Sequence, residues 1–109
     1  MGKKKKDTGS KSGVDLLDKE KVRLEPPKKY NVVFYNDDYT PMDFVMAVLI
    51  KVFRHKVASA YEIMMNVHEK GRGIAGGPYS REIAETKAEK CIQIARALGF
   101  PLLAVAEKV

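Results

Sequence analysis

A single cysteine among 109 residues excludes an internal disulfide, and the chain has no tryptophan. Cys91 falls within the helical pattern Ile83, Ala84, Ala88, Cys91, Ile92, Ala95, where a buried, inert thiol is the expected state. The lack of a disulfide framework fits a reducing, cytoplasmic setting. No apolar run is long enough to cross a bilayer, so no membrane association is expected. Lys3 to Lys6 are followed by no apolar stretch, so no secretory signal is expected either. The chain holds only two histidines, and neither has a second histidine or a cysteine at ligand spacing, which argues against a zinc-type centre. No cofactor is expected.

The formal charge of +6 matters less than its distribution. Residues 1–29 carry ten Lys/Arg against five Asp/Glu, whereas residues 30–109 carry ten against nine. The second part is nearly neutral and has no basic stripe interleaved with aromatics, so nucleic-acid binding is not expected of it. The first part combines Lys, Gly and Ser with few large apolar residues beyond Val14, Leu16 and Leu17, and it ends at Pro26-Pro27. We expect residues 1–26 to be a flexible basic extension and residues 27–109 to be one small folded domain.

Within that domain Tyr30, Val32 and Phe34 alternate with Asn31, Val33 and Tyr35, the period of a strand. A helix from Pro41 places Phe44, Val45, Val48, Leu49, Val52 and Phe53 on one apolar stripe. A second helix, begun after a break at His55 to Val57, carries Tyr61, Ile63, Met64 and Val67 and stops at Gly71. Gly73 to Tyr79 is rich in glycine and is expected to hold only a short strand or an irregular turn. Ser80 suits the cap of a third helix reaching about Leu98, with Gly99 as its stop and Pro101 to Val105 as a final strand. The order β-α-α-β-α-β predicts an α+β fold. Its form is a small open-faced sandwich, a three-stranded antiparallel sheet with three helices on one face.

The segment Asn36-Asp37-Asp38-Tyr39-Thr40-Pro41-Met42 joins the first strand to the first helix. Thr40 is the expected cap, Pro41 the first helical residue, and Asp43 an approximate capping-box partner. Asp37 and Asp38 precede the cap and are left free to face something cationic. A hairpin of the two helices would bring Met64, Val67 and His68 beside this acidic corner. The result is a site with a polar mouth and an apolar depth, suited to an amine carried by a hydrophobic group. An α-amino group, with a reference pKa of about 7.7 to 8.0, presents three donors to carboxylate, amide oxygen and imidazole nitrogen. Taken singly, each feature has a plainer account: Asx-type turn bonds for the aspartates, a helix-dipole partner for His68, core filling for the methionines. An enzyme or metal site built from Asp37, Asp38 and His68, with Cys91 as nucleophile, is one alternative. RNA binding through the basic extension is another.

The run from Asn36 to Val45, with Val67-His68, Ala84-Glu85-Thr86-Lys87 and Pro101-Leu102, resembles the bacterial ClpS adaptor family from about residue 27 to the end. That resemblance implies a non-catalytic adaptor. Such adaptors bind proteins bearing an N-terminal Leu, Phe, Tyr or Trp and deliver them to the ClpAP protease. It implies that Asn36, Asp38 and His68 hold the substrate α-amino group, with Asp37 bordering them. Thr40, Met42, Val45, Met64, Val67 and Leu102 would wall the side-chain pocket, with Met42 as a gate against β-branched residues. Glu82 and Lys87 match positions that contact the N-terminal domain of the ClpA-type unfoldase, and the extension matches a segment needed for hand-off. Delivery would work with a monomer. The sequence departs from the family in Asp43, which replaces a common Glu, and in one extra residue within Gly76 to Tyr79.

Overall fold

In the computed structural model, which describes residues 24–109, the apolar alternation after Pro27 becomes strand β1 (Tyr30–Tyr35). Helix α1 (Met42–Lys51) and helix α2 (Val57–Lys70) follow, then strand β2 (Arg72–Tyr79), helix α3 (Arg81–Ala97) and strand β3 (Leu103–Lys108). Strand β1 is central, paired antiparallel with β2 on one side and β3 on the other. The expected architecture is therefore present. The extension expected over residues 1–26 lies outside the described residues, apart from residues 24–26.

Alternation decides which face is covered. Val32 and Phe34 join Ala75, Ala104 and the helices in one core, where α1 contributes Val45, Val48 and Leu49, α2 contributes Ala60, Met64 and Val67, and α3 contributes Ala84, Ala88, Cys91 and Ala95. The small residues of α3 let its backbone approach the sheet closely. Phe34 meets Phe53 edge-on at 5.8 Å, and Phe44 meets Phe100 at 5.0 Å. The other sheet face is open, with Ile74 51% and Leu103 47% exposed. Val33, on that open face, is nonetheless 1% exposed, because its cross-strand partners Ile74 and Val105 flank it.

The helix ends follow local chemistry. Ser80 Oγ accepts from the Ile83 amide at 3.3 Å, as its cap role requires. Gly71 ends α2 at φ 87° and Gly99 follows α3 at φ 82°, left-handed conformations that favour glycine. Two expectations are corrected. Strand β2 is not short but eight residues long, and its register slips twice against the six-residue β1. The last strand begins at Leu103 rather than Pro101, since a proline has no amide to give the ladder.

Candidate functional site

Asp37, not Thr40, organises the corner between β1 and α1. Its Oδ1 accepts from the amides of Tyr39 at 2.8 Å and Thr40 at 2.7 Å, and its Oδ2 accepts from the Thr40 hydroxyl at 2.8 Å. The expected Thr40 cap is thereby overturned: its hydroxyl is committed to Asp37, and the extended Pro41 (φ −66°, ψ 145°) is the N-cap, without a side-chain bond. Pro41 accepts from the Val45 amide through its carbonyl at 3.2 Å. Asp37 is correspondingly not free of the turn, and the Asx-type account applies to it.

Partial burial on its own would raise the Asp37 carboxyl. The Thr40 and Tyr39 amides, the Thr40 hydroxyl and the field of Arg96 outweigh it, and the net pKa lies below the ordinary value. A depressed carboxyl steadies the corner above the ordinary Asp range. That contribution is lost as the pH falls through the lowered value.

The Asn36 amide donates to the Gly71 carbonyl at 2.9 Å, fixing the end of β1 against the end of α2. His68 lies in the last turn of α2 and so comes to the corner. Between these elements opens a cavity of about 280 Å³ lined by Asn36, Asp37, Asp38, Thr40, Met42, Val45, Met64, Val67 and His68. Nine of the ten expected α-amino and side-chain residues meet there. Val45, Met64 and Val67 are buried at its floor, while Asn36, Asp38, Met42 and His68 are exposed around it. The side chains of Asn36, Asp38 and His68 make no hydrogen bond within the protein among the described residues, which leaves their polar atoms available to a ligand. A volume just under the usual range of about 300–1,000 Å³ suits one large side chain rather than a folded partner. A larger depression along α3 is surfaced only by Glu82, Glu85, Thr86, Glu89, Lys90 and Gln93, and one polar helix face cannot enclose an apolar group.

Leu102 is the exception. It is 2% exposed and belongs to the core with Val45, Met64 and Val67, but it does not line the cavity. Its carbonyl and that of Phe100 accept from Arg96, at 2.9 and 2.8 Å, which turns the chain after α3 inward. Arg96 went unnoticed in the sequence, although a basic residue in the last turn of a helix is a recognisable carbonyl partner.

On the other side of the domain Glu82 is exposed in the first turn of α3. Lys87 is not a solvated cation: its ammonium donates to the Val52 carbonyl at 3.2 Å and lies 5.8 and 5.5 Å from the Phe53 and Tyr79 ring centres. Glu82 and Lys87 nevertheless share a shallow depression with Ile83 and Thr86. His55 lies in the loop between α1 and α2, where the break was expected, within hydrogen-bond reach of the Ala75 carbonyl. Burial pushes the Cys91 thiol up to about 12, so it is not a nucleophile at neutral pH. Among the described residues no group of three His, Cys, Asp or Glu side chains is placed to hold a metal, and no helix is long and apolar enough to cross a membrane.

Residues 25–105 match the family described as ATP-dependent Clp protease adaptor protein ClpS. The chain is 46% identical over 97 residues to the ATP-dependent Clp protease adapter protein ClpS of Vibrio atlanticus, covering 89% of this chain and 91% of that one. It is 46% identical over 101 residues to the protein of the same name from Pectobacterium carotovorum, covering 93% and 94%. Among solved structures it is similar to Agrobacterium tumefaciens ClpS2 bound to L-phenylalaninamide, with a TM-score of 0.73 and 39% identity over 77% of this chain and all of the other. On this agreement of sequence and fold, the chain belongs to the ClpS family of non-catalytic Clp protease adaptors.

Proposed function

We propose that the cavity binds the N-terminal residue of substrate proteins when that residue is Leu, Phe, Tyr or Trp with a free α-amino group. Bound substrates pass to the ClpAP protease. One observation carries this reading: the side chains of Asn36, Asp38 and His68, without hydrogen-bond partners among the described residues, and the apolar surfaces of Met42, Val45, Met64 and Val67 line the same cavity. The ligand of the Agrobacterium relative, a phenylalanine derivative with a free amine, supports it. Hydrogen bonds to a charged group contribute roughly 1.5 to 3 kcal/mol each, and burying a Leu or Phe side chain adds a similar amount. Two such bonds and one side chain amount to about 5 to 9 kcal/mol before ordering costs, compatible with roughly micromolar affinity. Neither contribution alone suffices. In this reading the protein acts as a cytoplasmic monomer, Glu82 and Lys87 meet the N-terminal domain of a ClpA-type unfoldase, and residues 1–26 assist hand-off.

The test is fluorescence anisotropy with a labelled peptide beginning with Phe, the same peptide acetylated at its α-amino group, and one beginning with Val. Binding of the free Phe peptide alone is expected. Equal binding of the acetylated peptide, or none of any, would overturn the reading.

Met42 gives a second, independent check, because its half-exposed side chain lies on the lining beside the helix start. Shortening it in Met42→Ala removes bulk near the substrate Cβ, where a branched residue is widest. The variant is expected to bind Val- and Ile-initiated peptides about tenfold more tightly than the wild type does, a change of about 1.4 kcal/mol. Unchanged discrimination would mean Met42 is not the gate.

A further inference from the structure

Among the described residues, the three hydrogen bonds of the Asp37 side chain all point into its own turn. Oδ1 takes the amides of Tyr39 and Thr40, and Oδ2 takes the Thr40 hydroxyl. A carboxylate offers about four lone-pair sites, so at most one remains for a ligand. The residues on either side are in the opposite state, with Asn36 and Asp38 exposed and their side chains unbonded among the described residues. Asn36 is further held by its backbone to Gly71, so the corner has one anchor on α2 and one on Thr40. Resting on the α-amino reading of the cavity, we propose that Asp37 is a positioning residue. It shapes the turn that aims Asn36 and Asp38 into the cavity, and it takes no direct share of the substrate charge.

The two roles make opposite demands on the side chain. A turn organiser needs an oxygen at Oδ1 and a polar group beside it. An asparagine supplies both, since its carbonyl accepts the two amides and its amide nitrogen donates to the Thr40 hydroxyl. An ammonium partner needs the negative charge, which asparagine lacks. Asp37→Asn is therefore expected to keep the affinity for a Phe-initiated peptide within about threefold of wild type, while Asp37→Ala, which frees the turn, loses tenfold or more.

The experiment compares wild type, Asp37→Asn and Asp37→Ala by peptide anisotropy, and follows amide hydrogen exchange of Tyr39 and Thr40 by NMR in the peptide-free protein. Faster exchange at these two amides in Asp37→Ala, and near-native exchange in Asp37→Asn, is the expected companion of the affinity split. Equal losses in both variants, or no loss in either, would overturn the positioning role, as would unchanged exchange in Asp37→Ala. A wild-type protein that ignores the peptide overturns the pocket reading and the positioning role with it. Unchanged exchange in Asp37→Ala beside normal wild-type binding overturns the positioning role alone.

Discussion

Asp38→Ala is expected to weaken binding of a Phe-initiated peptide about 10- to 150-fold while leaving the fold intact. The magnitude follows from losing one hydrogen bond to a charged group, roughly 1.5 to 3 kcal/mol, at about 1.4 kcal/mol per factor of ten. The side chain is exposed and makes no hydrogen bond within the protein among the described residues, so the folded state has little to lose. Substitutions at such positions usually change stability by less than about 0.5 kcal/mol, which for a domain of this size moves the melting temperature by no more than about 4 °C. Asp37→Ala is the instructive contrast, since it removes three bonds within the turn and is expected to cost both stability and affinity. For His68→Ala the loss of peptide affinity should be similar in kind, because the imidazole faces the same cavity from α2. Isothermal titration of the Phe peptide against both variants, with melting curves alongside, checks the expectation. If both bind as the wild type does, no ammonium site exists at this corner.

Local rules account for much of the fold. The stripe of α1, the Ser80 cap and the Gly71 and Gly99 stops depend on residues a few positions apart, and the sequence carries that information directly. Strand β2 does not work this way. Its glycines offer no periodic signal, and eight residues become a strand only because β1 supplies partners, with two slips of register along the way. The Thr40 cap failed for a related reason: capping preference describes a residue alone, and here an aspartate three positions earlier takes the hydroxyl first. Cavity membership was legible where helical spacing determines it, as for Met64, Val67 and His68. It was not legible at Leu102, whose orientation depends on Arg96 gripping the carbonyls after α3. Lys87 escaped for the same cause, since its partners Val52, Phe53 and Tyr79 come from α1's end and from β2.

Gly73→Ala is expected to damage both stability and binding, although residue 73 does not itself line the cavity. A Cβ built there would lie 2.8 Å from Val67 Cγ2, 3.3 Å from the Val67 backbone nitrogen and 3.5 Å from the Ile63 carbonyl oxygen. The Ile63 oxygen is at an ordinary van der Waals distance, whereas the Val67 nitrogen is tight and, being backbone, cannot rotate away. The nearest atom belongs to a valine in a helix, where one χ1 rotamer dominates, so it is nearly as fixed. Relief therefore requires α2 to shift against β2, a displacement of the kind that costs typically 1 to 3 kcal/mol in a packed core. At about 4–8 °C per kcal/mol, the melting temperature should fall by roughly 4 to 24 °C. Since Val67 walls the cavity and His68 follows it, the same shift should weaken Phe-peptide binding at temperatures where the variant is still folded. Gly99→Ala separates the two effects. Its added methyl meets nothing within 4 Å, but φ is 82°, so it should cost stability through backbone strain while leaving the affinity unchanged. If Gly73→Ala lowers the melting temperature but binds the peptide as well as the wild type, the position of the Val67 wall does not depend on how closely β2 approaches α2. If both properties fall together, the absence of a single side chain on β2 sets the shape of a pocket it never enters.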